Sequence, residues 1–184
     1  EESTYGASNG ASGYEIVDYA REWIGVTRYV WGAGRSSATD WQDYADCSSF
    51  AHGVFAHLGY EIGSTTYEQE HAGILVSGGL SNAQPGDLIL FYTGSILAGN
   101  SSHVGIYAGD GQMIHCSGGR ANTFSNPGRG VCMGSVAADG RRYTVRRVAT
   151  AVHADEAGPE ELLALLEKYN TRLEADKEKG IKWW

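Results

Sequence analysis

Basic residues are scarce in this chain: 14 lysines and arginines stand against 22 aspartates and glutamates in 184 residues, a formal net charge of -8. Nucleic-acid affinity rests on Lys and Arg neutralising phosphates, so the balance argues against a general polyanion binder. The one basic concentration, "RRYTVRR" at 141–147, alternates in pairs and reads as the solvated face of an edge strand. Long apolar runs are lacking too, which leaves no membrane-spanning segment and no stable membrane insertion to expect. The opening "EESTYGASNGASGYE" is polar and Gly/Ser-rich and has neither an initiator Met nor a signal peptide. It reads as a processed start or a linker over residues 1–13. No internal repeat is visible. Only three cysteines occur, Cys47, Cys116 and Cys132, and none forms a CxxC pair, which argues against a structural zinc site. Their odd number leaves at least one thiol free unless it pairs between chains.

The chain is 42% hydrophobic, enough for one main core. Helical spacing of Ile16, Ala20, Trp23 and Ile24 predicts a helix over 14–24. A short extended piece follows at 27–32, then a polar loop at 33–45. Phe50, Val54 and Leu58 predict a second helix over 47–60, with Cys47 in its first turn and Gly59 as its stop. A third, shorter helix is expected over 65–76. The fully apolar "LILFYT" at 88–93, launched by "PGD", has the pattern of a buried strand. Two strands joined by a "GDG" turn are expected over 103–117. The alternating stretch 141–150 is a further strand, and the leucine stripe after Pro159 predicts an amphipathic tail helix. Helices first, then antiparallel strands, then a helical tail argue an α+β fold, with the main domain over 14–152 and the tail over 153–184.

"YADCSSFAHGVF" (44–55) sets a thiol at a helix N-terminus, where the partial positive charge favours thiolate. An unperturbed thiol, with a pKa of about 8.5, is only a few per cent ionised at neutral pH, so a nucleophile needs such help. It also needs a histidine to carry its proton and a polar group to orient that histidine. In "HVGIYAG", Val104, Ile106 and Ala108 share one strand face, which should be core. His103 then looks out from the opposite face, free to meet Cys47. On the next strand His115 lies opposite Cys116 in parity and can approach His103 across the hairpin. Each residue alone has a plainer explanation: a small buried hydrophobe for Cys47, a satisfied strand-start residue for His103, a packed half-polar residue for His115. Together they fit a cysteine hydrolase with Cys47 as nucleophile, His103 as base and His115 as orienter.

The ordered set "YVWGAG", "DCSSF", "PGDLILFY" and "HVGIYAGDGQMIHCSGG" resembles the NlpC family of papain-like cell-wall endopeptidases over about residues 14–150. The resemblance implies a papain-like fold, with helices packed on a central antiparallel sheet. It makes Cys47, His103 and His115 the catalytic residues. Tyr29 would hold the oxyanion beside the Cys47 backbone N–H. Asp46 and Ser48 would contact the amine and backbone of the substrate, and Trp31 and Ser102 complete the implied binding set. Asp46 is nearly as well suited to capping the Cys47 helix, and one pair of oxygens cannot fully serve both roles. The implied substrate is a peptidoglycan stem peptide, cut between γ-D-glutamate and the diamino acid through a thioester, with no metal or organic cofactor. The implied setting is secreted or envelope-associated, in a bacterium. A Cys-His amidase or acyltransferase of the same architecture, and an inactive wall-binding module, are the alternatives; the intact Cys47, His103 and His115 argue against the module.

Two residues depart from the usual run: Ala33 stands for the second Gly of Trp-Gly-Gly, and Ser49 for the Gly after Asp-Cys-Ser. Three loops look long, at 33–45, 94–102 and 117–135. They carry Arg35, Trp41, Tyr44, Arg120 and Arg129, and are expected near the cleft, where they would narrow the groove. His52 and His57 are expected to be surface or half-buried; His71, on the third helix, could line the cleft but is expected in a plain placement, and His153 is expected exposed in the tail. Cys116 and Cys132 enclose a loop short enough for a disulfide, which an extracellular enzyme permits; two buried free thiols are the equal alternative. The leucine stripe of the tail helix, which ends in "KGIKWW", points to docking on this chain or a partner.

Overall fold

In the computed structural model, which describes residues 11–149 and Glu167, the first helix begins where its capping chemistry does. Ser12 accepts from the Glu15 amide while the Glu15 carboxylate accepts from the Ser12 amide, closing a capping box on α1, Gly13–Arg21. The expected helix over 14–24 is therefore shorter at its end. Beyond Arg21 the chain tightens into three-residue turns, and Trp23 and Ile24 pack against the core from there. A short strand, β1 (Arg28–Tyr29), pairs in parallel with β2 (Tyr44–Ala45). The loop between them holds a 3-10 turn at Asp40–Gln42, which drives Trp41 into the core.

The second helix, α2 (Cys47–His57), is capped by Asp46, whose carboxylate accepts from the Ser48 and Ser49 amides. Ser49 returns the bond, its hydroxyl accepting from the Asp46 amide at 2.9 Å. Ser49 thus completes a capping box that glycine could not form. The helix expected over 65–76 is only one turn, α3 (Thr66–Gln69), again with a capping box, from Thr65 and Glu68. Beyond it the Arg146 guanidinium donates to the carbonyls of His71, Ala72 and Gly73. Those bonds turn the chain into an extended β3, Ile74–Leu75, where the apolar residues had suggested continued helix.

The remaining elements are β4 (Leu88–Tyr92), β5 (His103–Gly109), β6 (Gln112–Ser117), β7 (Gly130–Ser135), α4 (Val136–Asp139) and β8 (Arg142–Arg147). They build one antiparallel sheet in the order β3-β8-β4-β5-β6-β7. Strand β7 falls in the stretch expected to be loop; its Gly130 and Gly134 dilute the strand signal. Strand β8 is not an edge strand, since β3 and β4 flank it. Two of its arginines are engaged while Arg142 is exposed: Arg147 is bidentate on Asp87, at 2.9 and 2.8 Å, and Arg146 caps the turn above.

Both faces of the sheet are covered. On one, α1 and α2 pack over Leu88, Leu90, Val104, Ile106, Ile114 and Val131. On the other, Ile89, Phe91, Tyr107, Met113, Val136 and Val145 form a smaller second core. This is why every residue of β4 is buried and its sequence is apolar without alternation. Most of the linker expected over 1–13 and the tail expected over 153–184, with His153, its leucine stripe and the terminal tryptophans, lie outside the described residues. Among the described residues no helix is long and apolar enough to cross a membrane.

Candidate active site

Cys47, the first residue of α2, Tyr29 at the end of β1, His103 at the start of β5 and His115 on β6 line one cleft of about 650 Å³. The sequence therefore brought together residues from four segments. The thiol is stationed by α2, and the backbone N–H of Val104, the residue after His103, favours its charged form. The hairpin register pairs Ile106 with Ile114, so one step further His115 lies across from Gly105, on the same face as His103. Their rings meet edge to face, and His103 Nε2 lies 2.7 Å from His115 Nδ1. That bond leaves His103 Nδ1 as the nitrogen available to a thiol.

His103 is not open to solvent, as strand parity had suggested. The face it occupies carries the second core, and its ring packs on Phe91, leaving it 9% exposed. Burial, with the neighbouring His115 and Arg141, pulls its pKa down to about 3. Burial likewise lowers His115 to about 4, against the pull of Asp139. At Cys47 burial works against the thiolate that the helix N-terminus favours. Burial and the Asp46 charge push the Cys47 thiol up to about 12, outweighing the Val104 and Ser48 amides and Arg35. Burial thus disfavours the charged forms of the Cys47 thiol and of both imidazoles.

The hydroxyl of Tyr29 is held in its neutral, donating form, because burial and the nearby Cys47 and Asp46 raise its pKa. Asp46 caps α2, as one of its two expected roles required, and lines the cleft as well. Both its oxygens are taken on the cleft side: Arg35 Nη1 donates to Oδ2 at 2.8 Å, Nη2 to Oδ1 at 2.9 Å, and the Gly32 amide to Oδ2 at 3.2 Å. Burial raises its carboxyl, but Arg35 with the Ser48 and Ser49 bonds more than offsets this, and its pKa falls below the ordinary value. Ser48 donates to Asp46 and accepts from Arg35. Trp31 stands half exposed on the cleft wall with the Arg120 guanidinium 5.0 Å above its ring. Ser102 donates to the Phe91 carbonyl and accepts from Arg141.

Of the three long loops, each gives the cleft some residues: Arg35 from the first, Asn100 to Ser102 from the second, Arg120 from the third. Trp41 is not among them; it is core, edge-on to Trp23 and Phe50. Tyr44 packs on Phe124 instead. His57 stacks on Tyr19, His52 approaches Glu61, and His71 lies exposed beside Glu70. Cys116 and Cys132 are free thiols. The register explains why: Cys132 pairs with His115 and Cys116 with Val131, so the two side chains leave opposite faces of the sheet and cannot bond.

Sequence reasoning missed Gly134, Asp139 and Arg141. A Cβ on Gly134 would lie 2.7 Å from His115 Nε2, so this glycine makes room for the imidazole. Asp139 and Arg141, paired at 2.6 and 2.7 Å, line the cleft beyond the histidines. Their signal lay in β7 and the turn after it, which the pattern of apolar residues did not reveal. Among the described residues no cluster of His, Cys, Asp or Glu could hold a metal ion.

A cysteine heading a helix that packs on an antiparallel sheet, with a bonded histidine pair on adjacent strands, defines a papain-like α+β protein. Comparison with known proteins narrows this class. The sequence profile of the NlpC/P60 family matches residues 25–133, and the chain belongs to that family. It is 39% identical over 103 residues to "Murein DD-endopeptidase MepS/Murein LD-carboxypeptidase" of Escherichia coli (strain K12), covering 55% of this chain and 48% of that protein. It is 33% identical over 126 residues to "Peptidoglycan DL-endopeptidase CwlO" of Bacillus licheniformis, covering 66% of this chain and 26% of that one. The crystal structure of the NlpC/p60 domain of the peptidoglycan hydrolase SagA superposes with a TM-score of 0.55 at 35% identity, over 74% of this chain and all of that one. The chain spans about half or less of these curated relatives.

Proposed function

We propose that this protein is a cysteine endopeptidase that hydrolyses peptidoglycan stem peptides at the bond between γ-D-glutamate and the diamino acid, in a bacterial envelope or secreted setting. The observation that carries the reading is the single cleft shared by Cys47, Tyr29 and the His103–His115 pair. The Cys47 sulfur adds to the γ-carbonyl carbon while His103 takes its proton. The Tyr29 hydroxyl and the Cys47 backbone N–H receive the oxyanion, a donor of this kind being worth roughly 3 kcal/mol in the transition state. His103 then hands the proton to the leaving amine, and a thioester remains. Water, deprotonated by His103, opens the thioester and releases the glutamyl carboxylate. His115 holds the ring in place and disperses the charge it gains.

The choice of bond follows the name of the DL-endopeptidase relative, whereas the name of MepS points to other bonds in murein. Both possibilities are separated by one experiment. The wild type and Cys47→Ala are incubated with L-Ala-γ-D-Glu-diaminopimelate and with a cross-linked muropeptide dimer, and the products are weighed by mass spectrometry. Release of diaminopimelate from the tripeptide by the wild type alone supports the reading. Conversion of dimer to monomers with the tripeptide intact would move the activity to the cross-link.

A further inference from the structure

The cleft is lined by two carboxylates and three guanidinium groups: Asp46 and Asp139, and Arg35, Arg120 and Arg141. Each carboxylate already holds an arginine in fork geometry, Arg35 on Asp46 and Arg141 on Asp139. The remaining guanidinium, Arg120, rests on Trp31. Among the described lining residues no negative group is left to receive a cation from a ligand.

Arg35 is held by more than its charge. Its Nη1 also donates to the Ala33 carbonyl at 2.9 Å, and its Nη2 to Ser48 Oγ at 2.8 Å and to the Ser64 carbonyl at 3.0 Å. These bonds join the 33–45 loop to α2 and to the chain before α3. A substrate ammonium bound for Asp46 would have to displace a planar fork that already satisfies both oxygens, and break three further bonds. Arg35 also lines a second cavity of about 390 Å³ beside the 34–42 segment.

We propose that Arg35 is a specificity-determining residue: it occupies the cation seat at Asp46, so the cleft takes peptides whose nearby amine is acylated and draws no advantage from a free ammonium. This deepens the stem-peptide reading and rests on that cleft being the peptide site. It also makes physical sense of an acidic chain with an anionic substrate. With Asp46 and Asp139 neutralised from within, the cleft keeps the net positive charge of Arg120, against a chain of net charge -8.

The test does not depend on turnover. Cys47 is modified with 2-aminoethyl methanethiosulfonate, a cation, and with neutral methyl methanethiosulfonate, in the wild type, Arg35→Ala and Arg35→Gln, and the labelled peptide is quantified by mass spectrometry. Emptying the seat should raise the cation-to-neutral rate ratio on the order of tenfold in both variants, and adding Asp46→Asn should abolish the rise. An unchanged ratio in both variants overturns the proposal. In parallel, wild type should cut the free and N-acetylated tripeptides at rates within a few-fold, and Arg35→Ala should favour the free amine. Cleavage of the free peptide only, by the wild type, also overturns it. If neither peptide is cut, the stem-peptide reading falls, while the labelling ratio still decides the role of Arg35.

Discussion

His103 Nε2 and His115 Nδ1 lie 2.7 Å apart across neighbouring strands, so one proton serves both rings and His103 Nδ1 is the nitrogen left outside the pair. His115→Ala should therefore lower kcat by roughly 10²-fold while KM moves little, the signature of a group that acts in the transition state. His115→Asn, which keeps a hydrogen-bonding side chain there, should recover part of the loss. Gly134→Ala should mimic the defect, because its new methyl crowds His115 Nε2. Steady-state kinetics on the tripeptide checks all three; a Gly134→Ala enzyme with wild-type kcat would show that the ring tolerates displacement.

With the Cys47 thiol pushed up to about 12, its reaction with iodoacetamide should climb about tenfold per pH unit through the neutral range, with no plateau below about pH 10. A resting thiolate–imidazolium pair would instead hold a flat rate from mildly acidic pH upward. Stopped-time labelling from pH 5 to 10, read by mass spectrometry, separates the two.

The parts of the site that a single local pattern encodes were legible in the sequence. Asp-Cys before an apolar helical stripe located the thiol, and strand parity set His103 and His115 on a common face. The parts set by tertiary packing were not. Parity cannot tell whether a face meets water or a second layer, so His103 was expected to be open although Phe91 and the second core bury it. Strand β7, diluted by glycine, hid the partner of β6, and with it both the room for His115 and the geometry that keeps Cys116 and Cys132 apart. Arg35 was visible as a loop residue, but its five bonds join segments up to 29 residues distant, which no local spacing reveals.

Tyr29 is buried and lines the cleft, and the raised pKa keeps its hydroxyl a donor across the working range. Tyr29→Phe removes the donor and keeps the ring. It should reduce kcat by about 10²- to 10³-fold with a near-normal Tm. Loss of stability matching the loss of rate would assign Tyr29 to the core instead.

The histidine pair also makes the fold sensitive to acid. The folded values, about 3 for His103 and about 4 for His115, lie below the ordinary value of 6.5. Between those limits the unfolded chain binds protons that the folded chain refuses, so stability rises with pH across this window and is lost as pH falls. The stability contribution should be fully present above about pH 6.5 and be lost steadily below it, with Asp46 adding a loss in the same direction as its capped and paired carboxylate is finally protonated. Thermal unfolding at about pH 7 and about pH 5 should show a clear drop in Tm for the wild type and a smaller one for His103→Gln. Equal drops in the two proteins would mean that the acid sensitivity comes from elsewhere in the chain.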